Sequence, residues 1–187
     1  GDKPVLVDIA FHARPGTVTA IVGPSGSGKT TIARLISRFW DVDSGAVMVD
    51  GVDIRELGTE QLMSRLSMVF QDVYLFDDSL IANIRVGRPD ASDEEVFRAA
   101  DLSGVTSIAN RLGWHTPVGE GGRLLSGGER QRVSVARALL KQAPIVLFDE
   151  ATSALDAENE ANILAAMDEL REQSTFIVIA HKLDTIK

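Results

Sequence analysis

The sequence predicts an α/β fold: a parallel sheet flanked by helices, an N-terminal antiparallel β part and a mainly helical insert. Three observations carry this expectation. First, residues 17–22 alternate and then turn apolar, a glycine-rich run follows, and residues 30–39 carry Ile32, Leu35, Ile36 and Phe39 at helical spacing. That is a strand–loop–helix unit. Second, beyond residue 126 helix and strand alternate over Gly127–Lys141, residues 145–148, residues 158–172 and Thr175–Ala180. Both strands are short continuous apolar runs, the pattern of a parallel sheet covered on two faces. Third, residues 72–124 lose this order and hold helix-like stretches at 93–100 and 105–112, broken by Gly87, Pro89, Gly104 and Gly113.

The N-terminal β part rests on an expected strand over residues 5–11, with Phe11 in the core, and on a hairpin. Residues 47–49 and 52–54 flank Asp50-Gly51, a pair suited to a type I′ turn. Residues 67–70 read as a further short strand. Residues 1–187 are expected to form one domain, with 1–71 and 126–187 as its core and 72–125 as a helical subdomain.

Composition removes several function classes. With no cysteine, disulfides and a Cys-based zinc site are excluded, and His12, His115 and His181 lack metal-ligand spacing. A formal net charge of −8 opposes a phosphate backbone, so no nucleic-acid partner is expected. No stretch approaches the roughly 18 apolar residues that span a bilayer. Gly1 is not a natural start and the sequence stops in a helix-like stretch at Lys187. An excised domain is therefore expected, with any membrane-spanning part elsewhere.

Gly23-Pro24-Ser25-Gly26-Ser27-Gly28-Lys29-Thr30 fits the P-loop pattern G-x-x-x-x-G-K-[ST] in its required strand–helix context, which makes the core a P-loop NTPase. Glycines let backbone N–H groups approach phosphate oxygens, and the helix N-terminus that includes Thr31 adds positive dipole. Lys29 is expected to reach the β- and γ-phosphates and the Thr30 hydroxyl to ligate Mg²⁺. The strand at 145–148 runs into Asp149 and Glu150. Asp149 is then placed to hold Mg²⁺, directly or through water, and Glu150 to polarise the water that attacks the γ-phosphate. Leu125-Ser126-Gly127-Gly128-Glu129-Arg130-Gln131 opens another helix. Ser126 and Glu129 have capping-box spacing, and the same turn offers a hydroxyl and unhindered N–H groups to a second anion, so both readings stand.

Leu125–Gln131 resembles the LSGGQ signature of ATP-binding-cassette (ABC) ATPases, in an LSGGERQ form. Three further elements match that family in order. Gln71 resembles the Q-loop residue, which touches Mg²⁺ or the attacking water; taken alone it reads as an ordinary loop residue. Ser153-Ala154-Leu155-Asp156 resembles the D-loop, and His181 the switch histidine that bonds the γ-phosphate. The resemblance implies ATP and Mg²⁺ as ligands and a head-to-tail pair of cassettes, homo- or heterodimeric. In that pair Ser126, Gly127, Gly128 and Asp156 serve the nucleotide on the partner's P-loop. It also implies an ATPase, with Glu150, His181, Gln71 and Lys29 as catalytic residues.

Residues 73–84 and Thr116-Pro117-Val118-Gly119-Glu120-Gly121-Gly122 are similar to exporter-type (ABCB-like) cassettes, with Gly122 partly replacing an Arg-Gly step. A weaker resemblance is to mycobacterial siderophore transporters of exporter fold. The implied partner is a transmembrane domain, and the implied location the cytoplasmic face of a cell membrane. The family stacks adenine on an aromatic residue before the first strand. Tyr74, the sole tyrosine, is not at that place, so the resemblance puts the stacking residue upstream of Gly1. DNA-repair ATPases share the P-loop and signature but insert a long coiled coil. A soluble non-transport cassette and a binding module without chemistry are the other readings. The intact Lys29, Ser126, Asp149, Glu150 and His181 oppose the last.

Overall fold

A computed structural model describes residues 4–70, 72–149, 166 and 168–180. Its main sheet has four parallel strands: β1 (Val18–Val22), β4 (Leu66–Val69), β5 (Ile145–Asp149) and β6 (Thr175–Ala180), in the order β1-β6-β5-β4. A two-stranded antiparallel hairpin, β2 (Met48–Val49) and β3 (Val52–Asp53), stands apart from it. Its turn is the one expected: Asp50 and Gly51 take φ of 52° and 77°, both left-handed, as a type I′ turn requires.

Period-two alternation sends neighbouring side chains of β5 and β6 to opposite faces. Val146, Phe148, Phe176, Val178 and Ala180 join one apolar cluster, while Leu147 and Ile177 join the other. The second cluster holds Ile36 of α1 (Lys29–Ile36), Leu62 of α2 (Thr59–Arg65) and Val49 of the hairpin. The first holds the helices α3 (Leu80–Arg85), α4 (Asp93–Leu102), α5 (Thr106–Leu112) and α6 (Gly127–Lys141). Thus α6, which follows the signature turn, packs on α3 and α4 as well as on β4. Residues 168–173 are also helical. No described helix is long and apolar enough to cross a membrane.

Two expectations fail. Residues 5–11 form no strand, and Val5, Val7, Ile9 and Phe11 lie 66%, 62%, 55% and 48% exposed. Phe11 is therefore not core. A β-pattern makes a strand only where a neighbour takes its backbone hydrogen bonds, and among the described residues none pairs with this segment. Phe39 does not extend the apolar face of α1. The helix ends at Ile36, Arg38 turns left-handed at φ 52°, and its guanidinium donates to the carbonyls of Ile54 (2.9 Å) and Leu57 (3.0 Å). Phe39 is left half exposed, 6.2 Å from the Phe70 ring. The helix α2 was not legible in the sequence, since only Leu62 of its seven residues is buried.

One buried amide organises the segment after β4. Asn83 is fully buried. Its Oδ1 accepts the Phe76 N–H at 2.9 Å, and its Nδ2 donates to the carbonyls of Phe76 (3.0 Å), Ser79 (3.1 Å) and Asp78 (3.3 Å). Arg137 of α6 adds an Nη2 bond to Asn83 Oδ1 at 2.8 Å, an Nε bond to the Asn83 carbonyl at 2.7 Å and an Nη1 bond to the Tyr74 carbonyl at 2.9 Å. Burial pushes the Arg137 guanidinium down to about 10, so it keeps its charge at neutral pH. This clamp presents Tyr74 and Phe76 to solvent as an edge-to-face pair with centroids 5.7 Å apart. Truncating Asn83 to Ala strands several buried backbone groups, so Asn83→Ala is expected to cost roughly 2–4 kcal/mol of stability. Urea unfolding checks this; a loss under about 1 kcal/mol would contradict the clamp.

Candidate nucleotide site

The P-loop connects β1 to α1 at the carboxyl end of the sheet, where ligands of such sheets bind. Gly28 occupies the N-cap of α1 with φ 89° and ψ 6°, a conformation that favours glycine, and supplies no side-chain cap. A Cβ there would lie 2.6 Å from Leu6 Cδ2. The opening N–H groups of α1 are therefore left without a side-chain acceptor, an arrangement suited to an anion. Three other described helices meet the same need with serine, Ser79, Ser92 and Ser126 capping α3, α4 and α6, whereas α2 and α5 also start without a side-chain cap.

Lys29 is only 7% exposed, and its Nζ folds back to donate to the carbonyls of Gly23 (2.8 Å) and Pro24 (2.9 Å). Its charge is thus held inside the curve of residues 23–28. Thr30 is exposed and Thr31 half-buried in the first turn of the helix. Pro24, Ser25, Gly26 and Ser27 are exposed on the loop, with Gly26 left-handed at φ 77°.

Strand order brings the acidic component alongside. β6 lies between β1 and β5, with Val22 opposite Ala180 and Asp149 opposite Ile179. The carboxyl end of β6 thus separates the P-loop strand from Asp149, which is 6% exposed. A carboxylate this deeply buried costs free energy unless cations or donors meet it. Glu150 and His181 follow the ends of β5 and β6 in the sequence. They, Gln71 and Asp156 lie outside the described residues. A buried ammonium and uncapped amides beyond β1, with a buried carboxylate at the end of β5 two strands away, fit a polyphosphate with a divalent cation. Among the described residues, Thr30 and Asp149 are the ones of the expected cation set.

The signature turn shapes a second surface. Ser126 and Gly127 are exposed and Gly128 half-buried at the start of α6. The capping box is complete: Ser126 Oγ accepts the Glu129 N–H at 3.2 Å, and the Glu129 carboxylate accepts the Ser126 N–H at 2.8 Å. The Ser126 hydroxyl keeps its own proton to donate outward. Arg111 of α5 donates to Glu129 at 2.5 Å, and Arg132 ties α6 to α5 through the Gly104 carbonyl (2.9 Å) and Ser107 Oγ (3.1 Å). Burial opposes ionisation of Glu129. The Ser126 N–H and Arg111 outweigh it and hold the carboxyl below its usual range. Arg111, Arg132 and Arg137 were missed from sequence, because charged residues on helices normally read as a solvated face, and Asn83 was read only as part of the exporter-like stretch 73–84, not as a buried organiser.

The loop resembling exporters is tied together as a unit. The Val118 N–H donates to the Asp78 carbonyl at 3.0 Å, and Ser79 bridges Pro117. Residues 116–122 thus sit against the segment that Asn83 organises.

Comparison with known proteins places this geometry. A family model described as "ABC transporter" matches residues 6–153. The chain is 48% identical over its whole length to the β-(1→2)glucan export ATP-binding/permease protein NdvA of Rhodopseudomonas palustris, of which it covers 31%. It is 48% identical to the mitochondrial iron-sulfur clusters transporter ATM1 of Yarrowia lipolytica, across 99% of the chain and 26% of that protein. It is 49% identical to the ATP-dependent lipid A-core flippase of Legionella pneumophila, across 98% of the chain and 32% of that protein. The chain therefore spans about a quarter to a third of these relatives. A solved bacterial Atm1-family ABC exporter with ATP bound superposes with a TM-score of 0.91 at 47% identity, over 97% of the chain and 32% of that structure. With a P-loop, a buried strand-end aspartate and a capped signature turn in one chain, and these likenesses end to end, the chain belongs to the ABC transporter family as an exporter-type nucleotide-binding cassette.

Proposed function

We propose that this cassette binds and hydrolyses ATP, and that it drives a transmembrane domain at the cytoplasmic face of a membrane by closing head to tail on a second cassette. The second cassette is either another copy or a sibling. The observation that carries the reading is the pairing, in one chain, of a phosphate cradle with an exposed signature turn at Ser126 and Gly127. A chain that already holds its own nucleotide has use for a second anion surface only if that surface serves another nucleotide.

In this reading residues 23–31 hold the triphosphate through backbone N–H groups, and Lys29 exchanges its two carbonyl partners for β- and γ-phosphate oxygens. Thr30, Asp149 and Gln71 would hold Mg²⁺, which would supply charge neutralisation to the triphosphate. Glu150 orients the attacking water and His181 bonds the γ-phosphate. Ser126, Gly127 and Gly128 close over the nucleotide of the partner, and Asp156 crosses to the partner's site. Hydrolysis and phosphate release reopen the pair as a rigid-body motion. The division into a core (1–71 and 126–187) and a helical part (72–125) belongs to this proposal. The exposed edge-to-face pair of Tyr74 and Phe76 favours the transmembrane partner, because adjoining exposed aromatics mark an interaction face.

The test is Ser126→Arg in the full-length protein. The substitution fills the signature turn and leaves the P-loop untouched. ATP hydrolysis is expected to fall about a hundredfold while nucleotide binding persists. Unchanged turnover would exclude a role for this turn.

A further inference from the structure

The second anion surface contains a charge of the wrong sign. Glu129 sits one residue beyond Gly128, in the first turn of α6, and is largely buried, its side chain 16% exposed. The family signature that the turn resembles has a neutral glutamine there. As a carboxylate, Glu129 strengthens the cap, because an ionised acceptor binds the Ser126 N–H more firmly than an amide does. That fixes Ser126. The same charge cancels part of the positive potential that α6 offers to an approaching triphosphate.

One residue of another helix offsets this directly. Arg111, in the last turn of α5, puts Nη2 2.5 Å from Glu129 Oε1, while the other carboxylate oxygen takes the Ser126 N–H. The two oxygens thus have separate tasks, one fixing the turn and one meeting the cation. Arg132 is the other cation acting on Glu129, but its guanidinium is already bonded to the Gly104 carbonyl and Ser107 Oγ. Arg111 is half exposed, with 52% of its side chain accessible, so the pair has little value as a staple for the fold.

We infer that Arg111 is a positioning residue for the composite nucleotide site: it neutralises Glu129, so that the Ser126–Gly128 turn can be clamped by an acid and still attract the triphosphate held by the partner cassette. This rests on the head-to-tail reading above. It predicts a role that no part of the P-loop shares and that depends on Glu129 being charged.

The experiment measures hydrolysis against ATP concentration in the full-length protein. Arg111→Ala is expected to raise KM for ATP several-fold with a smaller change in kcat, and Arg111→Lys to restore most of the affinity. In the Glu129→Gln background, Arg111→Ala should change KM by less than about twofold, because the charge it answers is gone. An unchanged KM in Arg111→Ala, or an equal loss with and without Glu129→Gln, overturns the inference. So does a loss of folding, read by circular dichroism, that Glu129→Gln fails to repair. Ser126→Arg separates this from the parent reading. If it leaves hydrolysis intact, the shared site itself is wrong. If it abolishes hydrolysis while Arg111→Ala is silent, only the role of Arg111 falls.

Discussion

Lys29→Ala is expected to abolish ATP hydrolysis, lowering turnover by about a thousandfold or more, and to weaken nucleotide binding with it. Lys29 is buried to 7% exposure, and its ammonium donates to the carbonyls of Gly23 and Pro24, at 2.8 and 2.9 Å. Carbonyl dipoles solvate a cation less well than phosphate oxygens do, so the exchange of partners favours the bound state. Charge neutralisation at the β- and γ-phosphates is a transition-state need as well as a ground-state one, which is why kcat and KM should both suffer. Arginine is not a remedy, since a planar fork does not fit a loop built around a compact point charge. Hydrolysis assays with a fluorescent nucleotide titration check this. Turnover within tenfold of the parent would remove Lys29 from the phosphate cradle.

Glu150→Gln should act differently. It preserves shape and the neighbouring Asp149, so ATP binding is expected to persist, while hydrolysis falls by about 10²–10⁴-fold with loss of the group that orients and polarises water. Because hydrolysis reopens the pair, the variant should accumulate as a closed dimer that retains ATP. Size-exclusion chromatography with and without ATP reads this directly. A variant that turns over near the parent rate, or that stays monomeric with ATP, would take that role from Glu150. The contrast between the two substitutions is itself informative: one prevents the pair from closing, the other prevents it from opening.

Much of the fold was legible because its signals are local. The apolar run before Asp149, the Asp50-Gly51 turn, the helix Gly127–Lys141 and the Ser126/Glu129 box each depend on a few adjacent residues, and all are found as expected. What failed depends on partners distant in sequence. Residues 5–11 have a strand's pattern without a strand's neighbour, and α1 stops short of Phe39 because Arg38 reaches the carbonyls of Ile54 and Leu57. The arginines 111 and 137 look alike in sequence, yet one meets an acid in the signature turn and the other braces Asn83, 54 positions away. The P-loop half of the candidate site was readable for the same reason as the hairpin: its chemistry is carried by contiguous residues. The electrostatic state of the signature turn was not, since it is set by α5.

The same asymmetry points to how the composite site can be tested. Lys29→Ala damages the cradle and spares the signature turn, whereas Ser126→Arg does the reverse. Each variant alone should fail to trap ATP in a closed pair, although Ser126→Arg still binds it reversibly. Assembled together in one dimer, they leave one composite site with both defects and one with neither. The decisive measurement is therefore the nucleotide retained by a mixed dimer of the two variants, each also carrying Glu150→Gln to prevent turnover. Sites shared between cassettes predict that the mixture recovers one tightly held ATP per dimer. A mixture that retains no more than either variant alone would contradict the account.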